Sequence, residues 1–470
     1  MLSAVASAVS PLRLCRLAST AATPFASSRV TAVLGAQWGD EGKGKLADVL
    51  AEDYDVVGRF NGGANAGHTV IADGVKYAFH LLPCGLVYPH TLNILGNGTV
   101  IHLPSMFDEL AQLDGTSVSW EGRLKLSNRA HLLFDYHQII DGVLEERRGA
   151  GKSLGTTKKG IGPAYASKAL RLGIRVGDLV DFDDFAAKFR SAVDSHQKMY
   201  GFDYGIDDEL ERYRAFADIL TNGDMIVDSV AYVNQAYNDG KRIILEGANA
   251  ALLDLDYGTY PFVTSSPTTV GGVCTGLGLA PGKIECTVGV VKAYTTRVGW
   301  GPFPTELTDV NAGGERAEGA PGADIGAHLQ SVGGEIGVTT GRKRRCGWLD
   351  IPLLQYSNMV NGYSAVNVTK LDVLDDLETI KIGVAYRDST TGETLAPGHM
   401  PSTIAELARV EVVYEEVPGW QSSTQGITEW AELPPNAQAY IQRMEDLLEV
   451  PMTWIGTGPG RDEMVIKPHA

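Results

Sequence analysis

A glycine-rich loop between an apolar run and a helical pattern restricts the possible folds of this chain more than any other feature. Residues 30–34 (Val-Thr-Ala-Val-Leu) predict a buried strand, and residues 46–50 (Leu-Ala-Asp-Val-Leu) predict the first turns of a helix. Glycines in the loop, residues 35–45, allow the backbone to approach a phosphate, and the unpaired N–H groups at a helix N-terminus attract an anion. This strand–loop–helix unit therefore predicts an α/β fold with a phosphate site.

The loop is similar to a phosphate-binding P-loop, but it carries an additional acid. Gly39 to Lys45 fits the pattern G-x-x-x-x-G-K, whereas the next residue is Leu46 in place of the usual Ser or Thr. The hydroxyl that usually binds Mg²⁺ is thus absent, while the carboxylate of Asp40 lies within the loop. Together with the cations Lys43 and Lys45, this acid favours chemistry on a phosphate. The alternative is a glycine turn with solvated charges.

Composition argues against several classes of protein. The 470 residues include 40 Lys and Arg against 57 Asp and Glu, a net charge of −17, so we expect no nucleic-acid partner. No run of about 18 apolar residues occurs, and we expect no transmembrane helix and no membrane partner. The five cysteines are scattered without a C-x-x-C pair, which favours a reduced compartment over disulfides or a zinc site.

Residues 1–29 differ in composition from the rest of the chain. They contain Arg13, Arg16 and Arg29, many Ser and Ala, and no acidic residue. This composition is typical of an organellar transit peptide, for a mitochondrion or a plastid. The alternative is a disordered N-terminal tail on a cytoplasmic enzyme.

Apolar strand-like runs alternate with helical patterns along the remaining chain. The runs lie at residues 93–98, 242–247, 287–291, 364–368 and 379–386, and the helical patterns at 182–200, 207–220 and 436–448. The alternation predicts an α/β fold: a large, mostly parallel sheet flanked by helices, with ligands at the carboxyl ends of the strands. We expect residues 30–470 to form a single domain of P-loop-like architecture, with a helical insertion near residues 105–235.

Three further loops carry groups suited to anions or to proton transfer. Residues 61–69 form a second glycine-rich loop with His68, which could act with Asp40 as an acid/base pair, although a lone histidine is often structural. Residues 152–163 combine hydroxyls, glycines and cations, and predict a loop over an anion or an exposed basic loop. Residues 342–345 are four consecutive basic residues, suited to carboxylate or phosphate. Their alternatives are a nuclear-localisation or nucleic-acid patch, or a surface run without a ligand.

Residues 369–372 (Thr-Lys-Leu-Asp) indicate which nucleotide is bound. They are similar to the Asn-Lys-x-Asp element of GTP-binding proteins, in which the aspartate accepts hydrogen bonds from guanine N1 and the 2-amino group. Adenine lacks this pair of donors, so a buried carboxylate selects guanine. Residues 254–266 add acids, aromatics and hydroxyls that suggest a nucleoside pocket.

In this order, the segments resemble the adenylosuccinate synthetase family over nearly all of residues 30–470. The motifs that carry the resemblance are residues 37–45, 65–69, 155–157, 160–165, 258–266, 297–299, 301–306, 339–342, 346–350 and 369–372. The resemblance implies a GTP-binding ligase of purine and AMP biosynthesis, which joins IMP and L-aspartate through 6-phosphoryl-IMP and forms GDP and phosphate. It also implies GTP as cosubstrate, one Mg²⁺ per site and a homodimer.

The resemblance further implies roles for individual residues. Asp40 takes the N1 proton of IMP, His68 is the general acid, and Lys43 is the phosphate lysine of the first loop. Asp40 and the backbone of Gly67 match the Mg²⁺ positions. Arg171 matches an arginine that reaches IMP in the neighbouring subunit.

Other positions match the substrate sites of the family. The GTP side comprises Gly39, Asp40, Glu41, Gly42, Lys43, Gly44, Lys45, Gly67, His68, Thr69, Arg344, Lys370, Leu371, Asp372, Gly456, Thr457 and Gly458. The IMP side comprises Asp40, Glu41, Gly42, Lys43, Asn65, Ala66, Gly67, His68, Thr157, Arg171, Asn249, Thr264 and Arg342. The aspartate-binding loop comprises Val338, Thr339, Thr340, Gly341, Arg342, Lys343 and Arg344.

Two positions depart from the family pattern. Asn249 stands where bacterial members carry glutamine and eukaryotic members often carry asparagine, so we expect a shorter contact with IMP or one made through the backbone. Gly456 stands where serine is common, so only its backbone could serve GTP.

Two other classes of protein compete with a ligase. A regulatory GTP-binding protein would explain the first loop and residues 369–372, but not the pairing of Asp40 with His68 or the arginine-rich loop. A noncatalytic scaffold or nucleic-acid-binding paralogue conflicts with the intact acid, histidine and lysines, and with the charge of −17.

Overall fold

A large parallel sheet forms the centre of the computed structural model, which describes residues 27–72, 75–149, 154–307, 323–337, 341 and 343–468. The strands in these ranges are β1 Val30–Gly35, β2 Val56–Arg59, β3 His68–Ala72, β4 Val75–Phe79, β5 Leu92–Leu95, β6 Val100–Ile101, β7 Leu124–Ser127, β8 His131–Leu132, β9 Ile226–Val227, β10 Ile243–Ala250, β11 Cys286–Lys292, β12 Thr295–Arg297, β13 Arg345–Gly347, β14 Leu349–Asp350, β15 Ala365–Thr369, β16 Thr379–Asp388, β17 Val410–Pro418, β18 Met452–Gly456 and β19 Met464–Ile466.

Ten of these strands form the main sheet, in the order β19-β18-β15-β11-β1-β10-β2-β5-β7-β9. All neighbouring pairs are parallel except β18 with β19 at one edge. The strand β1 is buried along its whole length, between β10 and β11. A strand in this position is covered on both faces, which explains why its sequence is continuously apolar rather than alternating.

Helices flank the sheet. In the described ranges they are α1 Lys43–Ala51, α2 Leu103–Ala111, α3 Asp135–Arg148, α4 Ile161–Leu170, α5 Phe182–Tyr200, α6 Ile206–Asn222, α7 Ser229–Asn238, α8 Val270–Leu277, α9 Ala323–Val332, α10 Ile351–Asn361, α11 Ile404–Leu407 and α12 Pro435–Leu448. The predicted fold class, a mostly parallel sheet flanked by helices, is therefore confirmed. No helix within the described ranges has the length and apolar content needed to cross a bilayer.

Local sequence patterns predicted several of these elements closely. The helix predicted at residues 182–200 is α5, and those predicted at 207–220 and 436–448 are α6 and α12. The run at residues 379–386 forms a strand, but it lies in a separate three-stranded sheet, between β14 and β17. The apolar pattern indicated the strand, whereas its sheet depends on distant pairing partners.

The segment from α2 to α7 is mainly helical, and it supplies most of a hydrophobic core that it shares with earlier residues such as Tyr77, Phe79 and Leu95. Aromatic rings of Phe134, Phe185, Phe189 and Tyr213 lie in this core. Phe134 contacts the other three rings, with centroid distances of 4.8 to 6.3 Å. The strands β7 and β9 within the segment extend one edge of the main sheet, so the helices are tied to the sheet by backbone pairing.

The close approach of α8 to the end of β2 gives a test of this packing. A Cβ atom on Gly276 would lie 2.0 Å from the carbonyl oxygen of Phe60. We predict that Gly276→Ala lowers the free energy of unfolding by about 3 kcal/mol, as overpacking does. Helix propensity alone would instead stabilise the alanine variant by about 1 kcal/mol. Urea unfolding measures the difference.

Gly282→Ala is the matched control, because a Cβ there would meet nothing within 4 Å. It should leave the free energy of unfolding unchanged. A Gly276→Ala variant as stable as the wild type would contradict the close approach.

Candidate active site

A cavity of about 850 Å³ lies at the carboxyl ends of β1, β2, β10, β15 and β18. Loops that are distant in sequence meet there because parallel strands end at one edge of a sheet. The volume is in the range of cavities that hold small molecules.

The first glycine-rich loop forms one wall. Gly42 is the N-cap of α1 and has φ +84°, a left-handed conformation that suits glycine. The carboxylate of Glu41 is buried and accepts hydrogen bonds from the backbone N–H groups of Gln37 and Gly39, at 3.2 and 2.7 Å. These hydrogen bonds to Glu41, which does not itself line the cavity, hold the loop in place. Lys43, at the start of the helix, lines the cavity.

Asp40 is held by a cation from a distant loop. Its own φ is +61°, and the Arg344 Nε lies 2.8 Å from its Oδ2. Arg344 is buried and also lies 2.8 Å from the Glu335 carboxylate through Nη1. The carboxylate of Asp40 is therefore oriented by a cation that is itself anchored on a second, buried acid.

His68 is buried beside another acid. Its Nδ1 lies 2.6 Å from Glu246 Oε1, and its Nε2 has no hydrogen-bond partner among the described residues. Burial lowers the pKa of His68, and the Glu246 carboxylate opposes that shift. Burial also acts to raise the pKa of Glu246, but the contact with His68 lowers it to about 2. Glu246 is thus an anion that orients the ring and leaves Nε2 available to a ligand.

Cys84 completes the surroundings of this histidine. Its Sγ lies 3.6 Å from His68 Nδ1, and its backbone N–H donates to Glu246 at 3.0 Å. Burial raises the pKa of Cys84 well above its usual value, so the thiol stays neutral. Cys84, Cys274, Cys286 and Cys346 are free thiols, in agreement with the expected lack of disulfides, while Cys15 lies outside the described residues.

Lys45 connects the first loop to the segment that follows β18, residues 457–463. Its Nζ donates to the carbonyl oxygens of Gly458 and Glu463, each at 2.9 Å. Burial lowers the pKa of Lys45 to about 8, against the attraction of Glu463. Gly456 and Gly458 therefore reach the cavity wall with the first loop. A Cβ on Gly456 would meet nothing closer than 3.5 Å. The structure therefore has room for a side chain at this position, although the residue is glycine.

The Thr-Lys-Leu-Asp element follows β15 at the same edge of the sheet. Lys370 lines the cavity, with φ +60°, and its Nζ lies 2.9 Å from Glu335. Asp372 has one buried carboxylate oxygen, Oδ1, without a hydrogen-bond partner among the described residues. Burial raises the pKa of Asp372. An acceptor in this state suits a ligand that brings N–H donors.

Most of the predicted site residues meet in this one cavity. Those that line it are Gly39, Asp40, Gly42, Lys43, Gly44, Lys45, Asn65, Ala66, Gly67, His68, Thr157, Asn249, Thr264, Arg344, Lys370, Gly456 and Gly458. Predicted residues that are described but do not line it are Glu41, Arg171, Gly341, Lys343, Leu371, Asp372 and Thr457. Val338, Thr339, Thr340 and Arg342 lie outside the described residues.

Sequence reasoning missed the buried charges behind the cavity, Glu246, Lys292 and Glu335. Each is at most 1% exposed. Glu246 and Lys292 occupy positions in β10 and β11, where a charge within an apolar run was the available signal. No comparable pattern marks Glu335, which follows α9 in a glycine-rich turn.

The fold and the cavity together define an α/β nucleotide-using enzyme of the P-loop-like kind. Comparisons with known proteins specify it further. Residues 32–465 match the sequence model of the adenylosuccinate synthetase family. The chain is 52% identical over 445 residues to adenylosuccinate synthetase from Paramecium tetraurelia, covering 94% of this chain and 98% of that protein. It is also 52% identical over 439 residues to adenylosuccinate synthetase from Schizosaccharomyces pombe, covering 93% and 96%.

A solved structure agrees with these relatives. The structure of fully ligated adenylosuccinate synthetase from Plasmodium falciparum superposes with a TM-score of 0.88 and 46% identity, over 94% of this chain and 100% of that chain. The chain therefore belongs to the adenylosuccinate synthetase family. It is a ligase of purine biosynthesis that joins IMP to L-aspartate in a GTP-dependent reaction, and the predicted class of enzyme is confirmed. Nothing favours the alternative of a regulatory GTP-binding protein.

The contact between Glu246 and His68 predicts a pH effect. The Glu246 charge raises the pKa of His68, so Glu246→Gln should make the protonated ring rarer at a given pH. If the ring must donate a proton, kcat should fall about 10²-fold. The basic limb of the pH–kcat profile should also move to lower pH. Steady-state rates between pH 5.5 and 9 measure both effects.

Cys84→Ser is the matched control, because it alters the other neighbour of His68 and keeps the Glu246 carboxylate. Its basic limb should stay where the wild type has it. An unshifted limb in Glu246→Gln would show that this carboxylate does not act on His68.

Proposed function

We propose that the cavity is the active site and that Asp40 is the base of the first chemical step. Asp40 takes the proton from N1 of IMP, and the released electron pair makes the 6-oxygen a nucleophile. That oxygen attacks the γ-phosphorus of GTP, the bond to GDP breaks, and 6-phosphoryl-IMP forms. The aspartate amine then attacks C6, and phosphate leaves. The 6-oxo group is a poor leaving group until it is phosphorylated, which gives the first step its purpose.

His68 and Lys43 are proposed to stabilise charge in the transfer. The unpartnered Nε2 of His68 is a buried polar atom of a residue that lines the cavity, and it supports a role as general acid toward the phosphoryl oxygens. Lys43 lies at the N-terminus of α1, where its charge adds to the helix dipole. The main support for the proposal is that Asp40, His68 and Lys43, the proposed base, acid and phosphate lysine, all line the same cavity.

GTP is proposed to bind between the first loop and the element at residues 369–372. The buried, unpartnered Oδ1 of Asp372 fits the N1 and 2-amino donors of guanine, and Lys370 lies beside it in sequence. Arg344 and the turn Gly456–Gly458 complete the GTP side, with the backbone of Gly456 in place of a side chain. Thr69, Leu371 and Thr457 are assigned to GTP on the family resemblance.

IMP and L-aspartate are proposed to occupy the remaining walls. Asn65, Thr157, Asn249 and Thr264 line the cavity, and the unpartnered Oδ1 of Asn249 supports a contact with IMP despite its shorter side chain. Arg342 and the loop at residues 338–344 are assigned to IMP and L-aspartate by the resemblance alone.

One Mg²⁺ is proposed to bind at Asp40 and the backbone carbonyl of Gly67. Both residues line the cavity, and a carboxylate with a carbonyl oxygen is a donor set that suits this hard cation. When bound, the ion would offset negative charge on the phosphates. The first loop supplies no hydroxyl for it, because Leu46 follows Lys45.

The oligomeric state, the domain organisation and the cellular localisation of the chain are further proposals. Arg171 is exposed at the end of α4 and does not line this cavity. This position supports the proposal that a homodimer brings Arg171 to IMP in the neighbouring site.

Residues 30–470 are proposed to form one domain with a helical insertion near 105–235. Residues 1–29 are proposed to direct the chain to a mitochondrion or plastid, with the cytoplasm as the alternative.

Phosphate release tests the base assignment. The wild-type protein with Mg²⁺ and GTP should release phosphate only when IMP and L-aspartate are both present, with a 6-substituted purine as coproduct. Asp40→Asn should lower kcat about 10³-fold, because the amide cannot accept the N1 proton. Its affinity for GTP should stay close to that of the wild type.

Asp48→Asn is a suitable control, because Asp48 also lines the cavity but pairs with Arg461 at 2.9 Å. It should change kcat by less than about tenfold. Near-normal turnover of Asp40→Asn would remove the base assignment, and release from GTP alone would indicate a GTPase.

Asp372→Asn tests the guanine site. An amide offers an N–H where guanine also has donors, so we expect the KM for GTP to rise about 10²-fold. Discrimination against ATP and ITP should fall with it. Competition assays with the three nucleotides measure this ratio. Unchanged discrimination would show that Asp372 does not contact the base.

A further inference from the structure

Four side chains from separate parts of the chain converge on the buried carboxylate of Glu335. Its Oε1 accepts hydrogen bonds from Lys292 Nζ and Lys370 Nζ, both at 2.9 Å, and from the hydroxyl of Tyr294. Its Oε2 accepts one from Arg344 Nη1 at 2.8 Å. Glu335 itself is fully buried, and Lys292 and Arg344 are also buried, whereas the Lys370 side chain is partly exposed.

Two of these cations reach different substrates in the proposed site. Lys370 belongs to the guanine element, whereas Arg344, which is also assigned to the GTP side, ends the aspartate-binding loop and holds Asp40 at 2.8 Å. Lys292 is different, since its Nζ is fully buried with Glu335 and the hydroxyl of Thr296 as its hydrogen-bond partners. Glu335 is thus the shared anion of a guanine-side lysine and an aspartate-side arginine.

The charge of Glu335 is essential to this geometry. Lys292, Lys370 and Arg344 hold the pKa of Glu335 well below its usual range although burial alone would raise it. Without this carboxylate the three cations would face one another in a medium of low dielectric constant, where like charges repel strongly. This repulsion would favour displacement of Lys370 and Arg344, whose side chains otherwise contact the Gly333 carbonyl oxygen and the Asp40 carboxylate.

We propose that Glu335 is a positioning residue for two substrates at once, holding Lys370 for GTP and Arg344 for L-aspartate. The role rests on the proposed assignment of those two residues. Glu335 touches neither substrate in it, and IMP meets this network only at Asp40, through Arg344. The proposal therefore predicts a selective pattern of KM changes.

The test is Glu335→Gln, which keeps the size of the side chain and removes its charge. The KM values for GTP and for L-aspartate should each rise about tenfold, the scale of a lost charge-assisted hydrogen bond. The KM for IMP should change less than about twofold, since its proposed contacts at Asn65, Thr157, Asn249 and Thr264 do not run through Glu335. The kcat should fall, because Glu335 anchors Arg344 and Arg344 orients the proposed base Asp40. Initial rates with each substrate varied in turn, the other two being saturating, give the three values.

A second variant separates positioning from folding. Glu335→Gln leaves the buried charge of Lys292 uncompensated, which should lower the melting temperature. The double variant Glu335→Gln, Lys292→Met removes that charge with a side chain of similar length. We expect it to recover most of the melting temperature and to keep both raised KM values. Recovery of the KM values together with stability would overturn the proposal.

Glu445→Gln is the matched control, because Glu445 lies 2.9 Å from the buried Lys467 and neither residue lines the cavity. It should leave all three KM values unchanged. Equal rises for all three substrates in Glu335→Gln, or a rise for only one of GTP and L-aspartate, would also overturn the proposal. If the wild-type protein formed no product, the proposed site assignment would be wrong. If the wild-type protein turned over normally and Glu335→Gln had unaltered KM values, only the proposed role of Glu335 would be wrong.

Discussion

Buried carboxylates behind a cationic cavity are the constraint on which the site depends. A site for two nucleotides must concentrate Lys and Arg, although the chain as a whole has a charge of −17. Cations crowded in a low dielectric repel one another until the anionic substrates arrive. Glu335, with Lys292, Lys370 and Arg344 around it, supplies the missing anion. Glu246 has the corresponding place beside His68. The cations are thus arranged for substrates before any substrate binds.

This arrangement has a cost in stability, as buried charges usually do. Removing two ions from water is expensive, and the pair recovers that energy only with good geometry and further hydrogen bonds. Glu335 meets this condition through four donors. A hydrophobic replacement could pack as well behind the cavity, but it could not hold Lys370 or Arg344. The acids are therefore explained by function rather than by the fold.

The sequence was sufficient for the elements whose cause is local. The first loop, its strand and its helix are contiguous, and a continuous apolar run such as β1 indicates a strand covered on both faces. The sheet to which β16 belongs could not be predicted, because an apolar run does not indicate which strands it pairs with. The contact of Asp40 with Arg344 and the place of Glu335 were missed for the same reason. Each of these contacts joins segments that only the sheet topology brings together.

Unpartnered polar atoms extend this reasoning to the substrates. A buried donor or acceptor without a partner costs about 1 to 3 kcal/mol, so a native fold keeps few of them. His68 Nε2, Asn249 Oδ1 and Asp372 Oδ1 are among the buried atoms without a partner in the described residues, and all three belong to residues that are proposed to contact ligands; other such atoms, as in Asn93 and Tyr136, lie in residues without that assignment. For Asp372 the burial that raises its pKa also makes the ionised form costly in the empty site. Two N–H donors from guanine would remove that cost, whereas adenine, with no matching donors, would leave it in place. In the proposed site, the burial of Asp372 would therefore favour guanine over adenine.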